Sequence, residues 1–165
     1  MSVLIIFIQK AIVQGICILY GALGEIMTEK SGNLNLGIPG IMYMGGIAGL
    51  MGAFFYEKDN PDPNAFVGIL ISFVCAFACA MLGGLIYSIL TITLRVNQNV
   101  TGLALTTFGM GVANFFGVFI LNGASYTAAP LAYASFSKKI PFLSTKLGII
   151  SKTVFPYGFL VYAAI

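Results

Sequence analysis

The sequence reads AFVGILISFVCAFACAMLGGLIYSILTITL over residues 65–94, and none of these side chains is charged. A helix that crosses a lipid bilayer needs about 20 consecutive, mostly apolar residues. Residues 31–56 and 96–137 are also free of charged side chains. A soluble domain does not accumulate three such windows, so the pattern predicts a polytopic α-helical membrane protein.

The composition of the whole chain excludes most other classes. Of its 165 residues, 59% are hydrophobic and only 8% are charged, whereas soluble domains carry about 25% charged residues. The mean hydropathy is +0.98, and the net charge of +3 comes from scattered lysines rather than a basic patch. A soluble enzyme, a disordered chain and a nucleic-acid binder are therefore excluded.

Few side chains are available for catalysis or metal binding. The chain has no His and only five carboxylates, so we expect neither an enzyme nor a metal site. Cys17, Cys75 and Cys79 lie in apolar runs, which is typical of small core residues rather than of disulfides.

The apolar windows predict an all-α fold, a polytopic transmembrane helical bundle with a broken helix region. About four complete spans and the start of a fifth are expected. The third window is longer than one crossing, so it should tilt, kink at Gly83 and Gly84, or protrude. Residues 122–153 are expected to form a loop. The spans are predicted at residues 11–27, 38–56, 100–121, within 66–94, and from about residue 155 onward.

Small side chains recur along two of the spans. In the third span they occupy every fourth position, and in the second span two glycines form a GxxxG pair. Small residues let helix backbones approach closely in a membrane, so we assign these residues to helix packing. They are Ser72, Ala76, Ala80 and Gly84 in the third span, and Gly45 and Gly49 in the second.

A polar interruption separates the first two spans, where residues 25–40 read EIMTEKSGNLNLGIPG. Irregular backbone at membrane depth survives only when it is buried in protein or lines a cavity. A helix restarting at Pro39 would direct free N–H groups towards that cavity, as the broken helices of transporters do. This interpretation makes Asn33 and Asn35 candidates for a solute path. The alternative is an ordinary polar loop at the membrane surface.

Two further groups of polar residues have two interpretations each. In the fourth span, Thr107 and Asn114 share one face with small residues. That face contacts either protein or a water-filled path, so both residues are path candidates, with plain packing as the alternative. Glu25 and Glu29 lie four residues apart on one helix face. They form either a polar contact near a gate or charges at a membrane boundary.

The interruption and its flanks carry a family resemblance. Residues 21–46, GALGEIMTEKSGNLNLGIPGIMYMGG, resemble the signature near the start of the membrane permease subunits of ABC importers. The similarity is to nucleoside and simple-sugar permeases, and more distantly to ribose and branched-chain amino-acid permeases. Lys30 stands where the family usually has Arg, and Pro39 where it usually has Glu. Residues 97–105, NQNVTGLAL, are similar to the family's turn into its next helix, and residues 122–123 and 140–143 resemble the loop that follows.

The resemblance implies a fold, a function and partners. Residues 1–165 would be the N-terminal part of a single ABC-importer permease domain, multi-pass in the plasma (inner) membrane. The domain would form part of the path for nucleosides or simple sugars and would work by alternating access. The implied partners are an ATP-binding subunit, a second permease subunit, identical or different, and an extracytoplasmic substrate-binding protein. No cofactor is expected in this chain, because ATP would be bound by a partner.

The same resemblance places the family's ATPase-coupling segment beyond the fifth span. The chain is therefore expected to be a fragment or a truncated gene product.

Two other functions remain open from the residues alone. A secondary transporter or channel would need ionisable residues within its spans or a filter motif, and after Glu25 the predicted spans contain no ionisable residue. A non-transporting membrane scaffold would explain the small residues but not the interruption. Nucleosides and sugars are not distinguished at this stage.

Overall fold

The computed structural model describes residues 3–123 and 129–136, and every regular element within them is helical. Four helices are long and apolar enough to cross a membrane, which confirms the predicted all-α transmembrane class. The elements are α1 (Val3–Lys30), α2 (Ile38–Asp59), α3 (Ala65–Ser88), a π-helical segment (Ile89–Thr93), α4 (Gln98–Gly123) and the short α5 (Pro130–Phe136).

Several boundaries differ from the prediction. Helix α1 includes Lys10, where the predicted span began only at residue 11. The Lys10 side chain is exposed, so its long stem can extend along the helix while the ammonium group stays near water. The prediction of a loop over residues 122–153 was wrong at its start, because α4 continues to Gly123 and α5 follows. Pro130 favours that second helix, since its fixed φ suits a first helical position. The predicted fifth span lies outside the described residues.

The third span changes its helical geometry near its end. Helix α3 continues through Gly83 and Gly84 as a regular α-helix. The change comes later, where the N–H of Leu94 donates to the carbonyl of Ile89 at 3.0 Å. This bond spans five residues, as in a π-helix, and such widened turns are frequent at functional sites.

Helix α2 occupies the centre of the bundle and packs against both α3 and α4. Its glycines make the contact with α3 close. A Cβ atom on Gly45 would lie 3.2 Å from the carbonyl oxygen of Ala76, and one on Gly49 would lie 3.0 Å from that of Ser72. In the membrane such close backbone approach supplies packing that the hydrophobic effect cannot.

Helices α2 and α4 approach each other even more closely, at Gly40 and Gly109. A Cβ on Gly40 would lie 2.5 Å from the carbonyl oxygen of Leu105 and 2.5 Å from the Cα of Thr106. A Cβ on Gly109 would collide with the backbone of Gly40. The two main chains therefore touch without intervening side chains, and we call this contact the Gly40–Gly109 crossing.

Large apolar side chains lie on the outside of the bundle. Phe66 is 73% exposed and Phe115 is 71% exposed, as expected for side chains that contact lipid tails. Helix α1 is the least enclosed, because none of its most apolar window is buried. It meets α2 over a small contact in which Gly21 and Gly24 face Ile38.

Candidate functional site

Residues 31–37, which we call the connecting segment, join α1 to α2. Helix α1 ends in a Schellman motif, in which the N–H of Asn33 donates to the carbonyl of Thr28 at 3.1 Å and that of Gly32 to Glu29 at 2.9 Å. Gly32 has φ of +86°, a left-handed conformation that glycine adopts without a steric penalty. The sequence S-G-N thus stops α1 and turns the chain back towards the bundle.

Gln98, the first residue of α4, forms hydrogen bonds with residues 32–34 of the connecting segment. Its Oε1 accepts a hydrogen bond from the N–H of Leu34 at 2.9 Å. Its Nε2 donates to Asn33 Oδ1 at 3.1 Å and to the carbonyl of Gly32 at 3.4 Å. A single side chain therefore satisfies groups on three successive residues.

Two hydroxyl groups donate hydrogen bonds to backbone carbonyls of the connecting segment. The Tyr87 hydroxyl of α3 donates to the carbonyl of Leu34 at 2.7 Å, and the Thr106 hydroxyl of α4 donates to the carbonyl of Leu36 at 2.6 Å. Irregular backbone needs such partners, because buried polar groups left without hydrogen bonds cost about 1–3 kcal/mol each. The segment is thus tied to α3 and α4, with Asn35 and Gly37 buried and its other residues at least partly exposed.

Close backbone contact presses the segment against α4. A Cβ on Gly102 would lie 2.8 Å from the backbone nitrogen of Leu36, and a Cβ on Gly37 would lie 2.9 Å from the Cδ2 of Leu105. Both glycines are buried. The missing side chains let the segment lie directly on the first turns of α4.

Asn35 is the buried polar centre of the segment, with only 3% of its surface exposed. Its Oδ1 accepts from the N–H of Gly37, and its own N–H donates to Glu25 Oε1, both at 2.9 Å. The second oxygen of Glu25, Oε2, is buried and has no hydrogen-bond partner among the described residues. Glu25 therefore ties α1 to the connecting segment with one oxygen and leaves the other unsatisfied.

A cavity of about 1060 Å³ opens beside this tie. Its walls come from α1, the connecting segment, α2 and the middle of α4, and they are mainly aliphatic. Ligand sites are typically apolar clefts of about 300–1,000 Å³ with a few placed polar groups. The polar side chains in this wall are Cys17, Glu25, Glu29, Asn35, Tyr43 and Asn114.

Two of the four predicted path residues line the cavity, and two do not. Asn35 and Asn114 both line the cavity, although they come from different elements. Asn33 is bonded to Gln98 and is not among the cavity-lining residues. Thr107 is also outside that wall; its hydroxyl donates to the carbonyl of Leu103 at 3.0 Å within α4. The polar stripe of α4 thus meets the cavity at one end only.

Three of the four residues predicted for helix packing in the third span contact α2, and the fourth does not. Ser72, Ala76 and Ala80 face the glycines of α2, with Ala80 opposite Gly45. Gly84 does not share this contact, since a Cβ there would meet no described atom within 4 Å. Its neighbour Gly83 is buried and faces Ile41.

The sequence did not identify the three residues that hold the connecting segment: Tyr87, Gln98 and Thr106. Tyr87 and Gln98 bond to partners 53 to 66 positions away along the chain, and Thr106 to one 70 positions away. Gln98 lies in the family-like stretch 97–105, but that resemblance did not indicate its contact with the segment. For Tyr87 and Thr106 the only hint was that an irregular segment at membrane depth must find hydrogen-bond partners.

The family profile described as "Branched-chain amino acid transport system / permease component" matches residues 7–165. The chain belongs to this permease family. The described residues include four helices that are long and apolar enough to cross a membrane, and together with the permease relatives they indicate a multi-pass protein of the plasma membrane. Members of the family are transport proteins rather than enzymes.

Two relatives extend the comparison. The chain is 32% identical over 100 residues to a putative glucose ABC transporter permease protein, TsgC13, of Haloferax volcanii. The matched region covers 61% of this chain and 27% of the relative. It is 25% identical over 140 residues to the guanosine ABC transporter permease protein NupQ of Bacillus subtilis. That match covers 85% of this chain and 42% of the relative. The matched region thus spans less than half the length of each relative. No solved structure matches significantly.

Proposed function

We propose that the chain forms part of the transmembrane path of an ABC importer for nucleosides or simple sugars, and that the path works by alternating access. The proposed partners are an ATP-binding subunit, a second permease subunit and an extracytoplasmic substrate-binding protein. Residues 1–165 would be the N-terminal part of a single permease domain. The names of the two relatives support the transporter class and the two kinds of solute.

One observation carries this proposal, the cavity between α1, α2 and α4 with the connecting segment in its wall. Packed irregular backbone beside a cavity is how transporters build solute sites within the membrane. Asn35 and Asn114 reach the cavity from two elements. Amide side chains both donate and accept hydrogen bonds, which suits neutral solutes rich in hydroxyl or N–H groups.

The charges of the wall disfavour an anionic solute. Glu25 and Glu29 line the cavity, and no Lys or Arg is found among its described lining residues. A solute with a carboxylate would meet two carboxylates of the same sign and no counter-charge, which disfavours binding.

The test uses the complete transporter reconstituted in vesicles with its partners. Asn114→Leu keeps the fold, because Asn114 is exposed at the cavity wall, but removes a hydrogen-bonding group. We expect ATP-driven uptake of a nucleoside or a sugar to fall roughly three- to tenfold, as for the loss of one hydrogen bond. The matched control is Asn60→Leu, at an exposed residue just beyond α2 and away from the cavity. Equal uptake by both variants would remove the cavity from the path.

A further inference from the structure

Glu25 has a hydrogen-bonding capacity that the fold uses only in part. Its Oε1 accepts the N–H of Asn35 at 2.9 Å, while Oε2 is shielded from water and unbonded among the described residues. A buried charged oxygen without a partner is destabilising, by more than the 1–3 kcal/mol of a neutral group. The same side chain lies in the cavity wall, so a group that enters the cavity can supply the missing bond once the atoms that cover Oε2 have moved aside.

The rest of the wall indicates the shape of that group. Elsewhere the cavity is lined by aliphatic side chains such as Ile18, Met42 and Leu50, and by the ring of Tyr43. A free sugar carries hydroxyls on all sides, and burying them against aliphatic carbon leaves them without hydrogen bonds. A flat heterocycle has two apolar faces and concentrates its N–H groups at one edge, so the base of a nucleoside, though not its ribose, matches this wall.

We propose that Glu25 is the solute-recognising acceptor of the cavity, binding the N–H edge of a nucleoside base through the oxygen that the fold leaves free. This proposal rests on the proposed function and refines it from two solute classes to one. Because Oε2 is closed to water, a base reaches it only after the side chains around it move aside. The bond replaces no bond to water at that oxygen, although the N–H group of the base gives up its own bond to water on binding.

The experiment compares Glu25→Gln with Asp62→Asn in the complete transporter, reconstituted in vesicles with its ATPase and binding protein. Asp62 is exposed between α2 and α3 and is not among the cavity-lining residues, so each variant removes one charge but only Glu25→Gln changes the wall. In Glu25→Gln the amide oxygen can still accept the N–H of Asn35, which preserves the fold. Initial rates of ATP-driven uptake are measured with uridine, inosine or glucose at concentrations below half-saturation, with permease abundance as a control.

We expect the wild-type protein to import the nucleosides faster than glucose. Glu25→Gln should lower nucleoside uptake about tenfold, as for the loss of a hydrogen bond to a charged group, and Asp62→Asn should stay within about twofold of wild type. If Glu25→Gln reduces permease abundance, Glu25→Asp serves instead, because it keeps the charge but withdraws the oxygens from the wall. It should lower nucleoside uptake as well.

Three outcomes overturn different statements. Nucleoside uptake at the wild-type rate in Glu25→Gln would remove Glu25 from recognition. Import of glucose but not of nucleosides by the wild-type protein would overturn the refinement and leave the proposed function intact. An assembled, ATP-hydrolysing complex that imports neither solute class would contradict the proposed function itself.

Discussion

The Gly40–Gly109 crossing should tolerate no side chain, and Gly40→Ala tests this directly. The added methyl would lie 2.5 Å from both the Leu105 carbonyl oxygen and the Thr106 Cα. Carbon atoms pack best at about 3.5–4.0 Å, so the methyl is about 1 Å too close to the backbone. No rotamer relieves the contact, because neither neighbour is a side-chain atom. The helices must move apart.

The cost follows from the contact and from helix propensity. Overpacking a tight interface costs about 1–3 kcal/mol, and separating α2 from α4 also loosens the contacts of the connecting segment. Replacing Gly by Ala within a helix gains up to about 1 kcal/mol in propensity, which offsets part of the loss. The matched control is Gly46→Ala in the same helix, where a Cβ would meet no described atom within 4 Å. It receives the propensity gain alone, so the variants should differ by about 1–3 kcal/mol.

Thermal unfolding of the purified permease in detergent measures this difference. A change of 1 kcal/mol shifts the midpoint by about 2–4 °C in a domain of 150–250 residues. We expect Gly40→Ala to unfold about 2–12 °C below Gly46→Ala, and Gly46→Ala at or slightly above wild type. Equal midpoints for the two variants would show that α2 and α4 do not approach as closely as described, and the reasoning would fail.

Three further substitutions test other parts of the fold, each by the same unfolding measurement. Gly32→Ala should destabilise the permease by about 1–2 kcal/mol, because alanine resists the left-handed backbone with φ of +86°; an unchanged midpoint would contradict the Schellman end of α1. Asn97→Ala should cost about 1 kcal/mol, since Asn97 Oδ1 accepts the N–H groups of two following residues at 3.0 and 3.3 Å, and Asn97→Asp should restore most of the loss. Ala76→Leu should lower the free energy of unfolding by about 1–3 kcal/mol through overpacking between α2 and α3. The control Phe77→Leu, at a position that is 60% exposed, should change it little. If both variants are neutral, the glycines of α2 do not face Ala76.

The membrane spans were predictable because composition alone decides them. Charge-free windows longer than a bilayer crossing have no other stable place, so α2, α3 and α4 followed from residue counts. The apolar run at residues 11–27 contains a single charged side chain, Glu25, and predicted α1. The polar interruption was equally visible, because Asn and Gly stand out between apolar runs. What the interruption contacts could not be predicted, since Gln98 and Tyr87 reach it from distant parts of the chain.

Individual site residues were harder to predict than the region that holds them. Asn33 and Asn35 look equivalent in sequence, but Asn35 lines the cavity and Asn33 is bonded to Gln98. The backbone turn at Gly32 decides which side chain points where, and no periodicity applies to an irregular segment. In α3, small residues form two neighbouring columns: Ser72, Ala76, Ala80 and Gly84 in one, and Cys75, Cys79 and Gly83 in the other. The sequence of α3 alone does not indicate which of these residues contact α2. Gly83, in the column beside Gly84, is the glycine that faces a neighbour.

The hydrogen bonds of the connecting segment impose an order on biogenesis. The segment emerges from the ribosome together with α1 and α2, but its partners Tyr87, Gln98 and Thr106 are synthesised 53 to 70 residues later. The carbonyl of Leu34 lacks its partner until α3 has been inserted, and the carbonyl of Leu36 lacks its partner until α4 has been inserted. Until then each has only water to bond with, so the segment must wait at the hydrated membrane surface. The wall of the cavity is therefore completed late in synthesis, when α4 arrives beside α2 and draws the segment out of water.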